Sequence, residues 1–114
     1  MSVKLTRRQV GDVNVVDVAG RITLGEGSSA LREALRELVG KGEKKIVLNL
    51  ANVSYIDSSG IGELVSGFTT VTNQGGQLKL LNLTKRVQDL LQITKLYTVF
   101  EVHDDEAAAV RSMV

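Results

Sequence analysis

The sequence predicts an α/β domain built on a mixed β-sheet of about five strands, opened by a hairpin and backed by about four helices. Three observations point there. Short β-branched runs such as K-K-I-V-L-N-L and Q-L-K-L-L alternate with apolar stripes at helical period. Residues that start or stop helices bracket those stripes. A Gly-Asp pair, Gly11-Asp12, stands between the first two extended runs, as a tight hairpin turn requires.

The elements follow in order. Val3 to Gln9 reads as a short strand with mixed faces, and V-N-V-V-D-V-A-G-R-I as a Val-rich second one. Glycine at the first central position suits a II′ turn, which makes these two strands antiparallel neighbours. Leu31, Ala34, Leu35, Leu38 and Val39 form one helical stripe, with Ser28 or Ser29 as its cap and Gly40 as its stop. Glu37 and Lys41 are spaced i,i+4 in the favourable order. K-K-I-V-L-N-L is a buried strand, and A-N-V-S-Y-I a short connection after it. Ile61, Leu64, Val65, Phe68 and Val71 make the second stripe, ended by Gly75-Gly76. Q-L-K-L-L is the next strand. Thr84 caps a short helix carrying Val87, Leu90 and Leu91, and T-V-F-E-V is the last strand. Asp104, Asp105 and Glu106 crowd the start of a final helix, where the positive dipole end favours them, and Arg111 sits near its other end. The order β-β-α-β-α-β-α-β-α implies parallel pairing through crossover helices after the opening hairpin.

Composition narrows the function. The 114 residues suit one domain, 1–114, large enough for a core without staples. No cysteine is present, which removes disulfides, thiolate metal sites and thiol catalysis. Fourteen basic residues face thirteen acidic ones, a net charge of +1, so there is no broad basic field for nucleic acid. No apolar run is long enough to span a bilayer, and the N-terminus lacks the apolar core of a signal peptide. The expectation is a small cytoplasmic domain with no cofactor, no metal and no membrane insertion.

The stretch Y-I-D-S-S-G-I-G-E-L, Tyr55 to Leu64, gathers an acid, two hydroxyls and two glycines between a strand and a helix. In open α/β sheets, functional groups lie beyond the carboxyl ends of strands. Asp57 suits an N-cap, accepting from the free N–H of Ser59 or Gly60. Ser58 then becomes the first helical residue, free to face solvent. Gly60 and Gly62 each cost a helix about 1 kcal/mol against Ala, which implies close backbone packing or a surface kept clear for a partner. The same D-S-S-G is also what a plain capped helix needs, and the residues alone leave both readings standing.

A serine nucleophile wants a base. The only histidine, His103, lies among acids far along the chain and reads as a solvated residue near the last helix. Neither G-x-S-x-G nor a phosphate-binding G-x-x-x-x-G-K-[ST] is present, and Gly25-Glu26-Gly27 lacks the third glycine of a dinucleotide loop. Asp57 as a phosphoryl acceptor lacks paired acids for magnesium. The remaining possibility is a hydroxyl presented at a helix start. Phosphate there adds about −1.5 to −2 charge, which the free N–H groups accommodate while the surface potential changes sign.

V-A-G-R-I-T-L (Val18–Leu24), K-I-V-L-N-L (Lys45–Leu50), V-S-Y-I-D-S-S-G-I-G (Val53–Gly62) and G-G-Q-L-K-L-L (Gly75–Leu81) together resemble the STAS domain of bacterial anti-sigma factor antagonists. The likeness runs over nearly the whole chain in order and spacing. It implies a non-enzymatic partner switch. The unphosphorylated form binds an anti-sigma factor that is a serine kinase and so frees the sigma factor. Phosphorylation of the first serine of D-S-[ST]-G, here Ser58, breaks the complex, and a serine phosphatase resets it. The implied partner surface comprises Asp57, Ser59, Gly60, Ile61 and Gly62 with Arg21 and Thr23 from the loop after the second strand. Many members carry aspartate where this chain has Thr23, which bears on partner identity and kinase dependence. Other roles open to such a domain are a stand-alone interaction module of a transporter, of a lipid-trafficking complex or of a signalling scaffold. A small hydrolase using Asp57 or Ser58 is the enzymatic alternative.

Overall fold

The computed structural model describes residues 3–113. Its elements run β1 (Val3–Val10), β2 (Val13–Ile22), α1 (Glu26–Gly40), β3 (Lys45–Ile56), α2 (Ser58–Asn73), β4 (Gln77–Leu81), α3 (Lys85–Ile93), a 3-10 turn (Leu96–Thr98), β5 (Val102–His103) and α4 (Glu106–Arg111). One sheet holds all five strands in the order β1-β2-β3-β4-β5. The β1–β2 pair is antiparallel and the other three pairs are parallel. The hairpin turns on Gly11, whose φ of 63° is the left-handed value the first turn position demands.

From β2 onward each strand is added on the same side of the one before. Right-handed crossovers then place every connecting helix on one face of the sheet. That face holds the larger core. Val16, Val18 and Ile22 of β2 and Ile46, Leu48 and Leu50 of β3 meet Leu31, Leu35 and Leu38 of α1, Ile61, Leu64 and Val71 of α2, and Val87 and Leu91 of α3. The alternate strand positions Val13, Val15, Val47 and Leu81 form a second cluster, covered by Ala109 and Met113 at the C-terminal helix. On that second face Arg8 reaches both Asp17 (2.6 Å) and Glu106 (2.7 Å), tying α4 to the opening hairpin. The two carboxylates hold the Arg8 guanidinium well above its ordinary pKa.

Four local expectations change. The A-N-V-S-Y-I segment is the second half of β3, not a connection. Register shifts between Asp17 and Ala19 and between Gly20 and Arg21 each fit one additional β3 residue. The bulges interrupt the period-2 pattern and so disguise the strand. Helix α1 starts at Glu26, ahead of both serines, with Gly25 in the cap position and no side-chain cap. Gly27 permits this, because a Cβ there would overlap the Arg21 carbonyl oxygen. The helix ends at Gly40, but the glycine that stops it is Gly42. Gly42 at φ 81° bonds back to Val39, and Glu43 N–H reaches the Leu38 carbonyl, a Schellman closure. Finally, T-V-F-E-V is mostly not a strand. Lys95 at φ 61° stops α3, and Phe100 turns into the core against Phe68 with ring centroids 5.4 Å apart. Only Val102 and His103 then pair with β4.

The remaining helix signals hold. Thr84 accepts from Val87 N–H and Asp105 from Ala108 N–H. Gly75 and Gly76 close α2 on Thr72 and Val71 in the same Schellman manner. Glu37 lies 3.7 Å from Lys41.

Candidate functional site

Strand β3 ends at Ile56 and α2 begins at Ser58, so Asp57 alone forms the junction. Its backbone is extended, at φ −111° and ψ −173°, as a cap residue's is. One carboxylate oxygen, Oδ1, accepts from Gly60 N–H at 3.0 Å. The other, Oδ2, accepts from Leu24 N–H at 3.0 Å. The Asp57 N–H donates to the Ile22 carbonyl at 3.3 Å. One side chain thus caps α2 and clips the β2–α1 loop to it. Burial acts to raise the Asp57 pKa, but the N–H groups of Leu24, Gly60 and Ser59 outweigh it and hold the carboxyl below its ordinary value.

The two glycines divide the roles that their cost implied. A Cβ on Gly60 would overlap the Ile22 carbonyl and crowd Ile56 Cγ1 at 2.6 Å, so only glycine lets α2 approach the ends of β2 and β3. At Gly62 a Cβ would meet nothing within 4 Å, and the residue is exposed. Gly60 serves close packing, whereas Gly62 leaves the surface low.

Ser58 is exposed in the first turn of α2, and Ser59 is half-buried beside it. Ile61 is only 5% exposed and belongs to the main core, so it anchors the turn from beneath. Thr23 is half-buried, and its carbonyl accepts the Ser28 N–H at 2.9 Å, closing the loop over the start of α1. Arg21 is exposed at the end of β2 and lies over the Tyr55 ring. The structure therefore gathers all the sequence-selected residues at the carboxyl end of β2 and β3. Some form its surface, and Gly60 and Ile61 lie under it.

His103 stands apart from this turn. It lies in β5, three residues ahead of α4 as expected, half-buried with Nε2 2.6 Å from a Glu101 carboxylate oxygen. Glu101 also takes a salt bridge from Lys79 at 3.0 Å, and that lysine is almost wholly buried. These interactions tie the sheet's far edge to the C-terminal segment through the Lys79–Ser112 contacts.

Three residues escaped the sequence pattern. Leu24 is 80% exposed, directly beside the Asp57 clip. The loop after β2 carries it outward. Tyr55 and Arg86 become neighbours only once β3 is seen to extend to Ile56.

The arrangement offers a neutral hydroxyl on a preformed helix start, flanked by an exposed apolar residue. Among the described residues no group of three His, Asp or Glu gathers to hold a metal ion. No helix among them is long and apolar enough to cross a membrane.

Residues 4–109 match the STAS domain family. The chain is 39% identical over 87 residues to the anti-sigma-B factor antagonist of Bacillus subtilis (strain 168), covering 76% of this chain and 78% of that one. A crystal structure of an anti-sigma factor antagonist from Mycobacterium paratuberculosis superposes with a TM-score of 0.85 at 18% identity, over 98% of this chain and 94% of that one. The phosphorylated form of the Bacillus cell-fate determinant SpoIIAA superposes with a TM-score of 0.75 at 19% identity, over 95% and 97% of the two chains. Anti-sigma factor antagonists are non-enzymatic STAS proteins. The chain belongs to the STAS domain family, among the anti-sigma factor antagonists.

Proposed function

We propose that this chain is a partner switch controlled by phosphate at Ser58. In the unphosphorylated state the surface around Ser58, Gly62, Leu24 and Arg21 binds an anti-sigma factor that is also a serine kinase, and the sigma factor is released. Transfer of a phosphoryl group to Ser58 Oγ breaks that complex, and a serine phosphatase restores the hydroxyl. The observation that carries this reading is the division of labour between neighbours. Asp57 caps α2 with one carboxylate oxygen and holds the Leu24 N–H with the other, which leaves the exposed Ser58 hydroxyl outside the cap. A phosphate there meets the positive end of α2 and adds charge without removing any bond that holds the turn. A phosphorylated form is known for SpoIIAA, whose fold this chain shares.

The electrostatics give the direction of the switch. On a chain of net charge +1 the phosphate reverses the sign. A partner surface shaped around a neutral hydroxyl must then desolvate a dianion beside the Asp57 carboxylate. Thr23, where many antagonists carry aspartate, removes one negative charge from the adjoining loop. Its hydroxyl belongs to the part of the surface that selects the partner.

Phosphosite mapping tests the assignment. The chain is incubated with ATP and the anti-sigma factor kinase encoded in its own genome, and the product is mapped by mass spectrometry. One phosphate on Ser58, abolished by Ser58→Ala and retained in Ser59→Ala, is the expected result. Label on Ser59 alone would overturn it.

A further inference from the structure

Two guanidiniums lie on one aromatic ring beside the candidate site. The Arg21 Cζ is 4.9 Å from the Tyr55 ring centroid, and the Arg86 Cζ is 4.7 Å from it. Arg21 is the register partner of Tyr55 across the β2–β3 pair, while Arg86 comes from the first turn of α3. Like charges gathered this way repel, yet neither takes part in the ion pairs found among the described residues. The nearby Lys85 and Asp89 pair with each other instead, at 3.3 Å. Cation–π attraction to the ring offsets part of the repulsion. What remains is a localised positive site on a chain whose other charges nearly balance.

The site has an apolar floor. Tyr55, Arg86, Leu90 and Ile93 line an open groove of about 470 Å³. Arg86, Leu90 and Ile93 recur at i, i+4 and i+7, one face of α3. Ile93 is 76% exposed in the last turn of α3. The groove lies next to the candidate turn along the chain, since Tyr55 and Ile56, which line it, end β3 just ahead of Asp57 and Ser58.

We propose that this groove receives an acidic segment of the anti-sigma factor. A carboxylate pairs with Arg86 beside Tyr55, and an adjacent apolar side chain packs on Leu90 and Ile93. This rests on the partner-switching reading and adds a second contact to it, separate from the phosphorylated turn. Charge complementarity selects the occupant. Guanidiniums suit a carboxylate in two-pronged geometry. A polyphosphate backbone or an anionic membrane would call for a wider cationic field than two arginines flanked by Asp89. Because the groove lies off the helix start, it selects the partner by charge while Ser58 sets whether the partner stays.

The test is calorimetric titration of the purified anti-sigma factor from the same genome into the parent chain, Arg86→Glu, Arg86→Gln and Ser58→Asp, at low and high salt. Melting curves accompany each variant. Arg86→Glu is expected to weaken binding about tenfold or more with an unchanged melting temperature, and to flatten the salt dependence seen in the parent. Arg86→Gln, which removes charge without reversing it, is expected to fall between the two and carries the test if Arg86→Glu does not fold. Arg86 variants within about twofold of the parent, alongside loss of binding in Ser58→Asp, would overturn the groove proposal alone. A parent chain that binds no anti-sigma factor would overturn the groove and the partner-switching reading together.

Discussion

Replacing Asp57 removes two structural bonds at once, which makes it the most informative single change. Asp57→Ala leaves the Gly60 and Leu24 N–H groups without their acceptors. Loss of a helix cap costs about 1 kcal/mol. Loss of the Leu24 bond, on an exposed loop where water replaces the carboxylate, adds about 1 kcal/mol. The sum, about 2 kcal/mol, lowers the melting temperature by roughly 8 °C for a chain of this size. Asp57→Asn separates the two bonds. Its carbonyl oxygen still accepts from one N–H, but its amide nitrogen cannot accept from the other. It is expected to lose about half as much as Asp57→Ala. The pH dependence has a defined sign. The folded state holds this carboxyl below its ordinary value of 3.8, so its contribution is complete above that value. The contribution is lost as pH falls through the depressed folded pKa. The gap between parent and Asp57→Asn therefore narrows only in acid. Thermal and urea denaturation of all three proteins at neutral pH and near pH 3 measures this. Equal stability of the three, or a parent–Asn gap that persists unchanged in acid, would refute the two-bond clip.

Gly60→Ala and Gly62→Ala are expected to differ in sign, although both put alanine in the same helix. The first drives a Cβ into the Ile22 carbonyl and costs about 1–3 kcal/mol, while the second meets open space and gains up to about 1 kcal/mol, as paired urea titrations will show. Ser58→Asp is expected to change stability by less than about 1 kcal/mol yet weaken binding by about 2–5 kcal/mol, so calorimetric binding data and melting curves must part company. Phosphate on Ser58 places a like charge beside Asp57 and is expected to raise that carboxyl's pKa, followed by NMR titration of the Asp57 side-chain carbon in both forms. An unmoved Asp57 titration would show that the phosphate points away from the cap.

Much of this site was legible because it is built from local chemistry. Asp57 as cap, Ser58 as first helical residue and the glycine closure of α2 at Gly75 depend on neighbours within a few residues. Capping rules capture such short-range geometry. The misread parts depend on distant backbone. The second half of β3 reads as a connection because two bulges break its alternation, and those bulges exist only in register with β2. The start of α1 was displaced to the serines because the true start depends on Gly27 passing the Arg21 carbonyl. The expected last strand is too long because Phe100 packs against Phe68 of α2. The Arg21–Tyr55–Arg86 stack could not be anticipated for the same reason, since its three members come from three elements.

The most direct test is a calorimetric titration of the anti-sigma factor into two preparations of this chain, one unmodified and one stoichiometrically phosphorylated on Ser58, each with its melting curve. The expected result is tight binding to the unmodified chain and at least about a tenfold loss on phosphorylation, with both preparations fully folded. Equal affinity for the two forms, or a loss explained by unfolding of the phosphorylated chain, would contradict the switch.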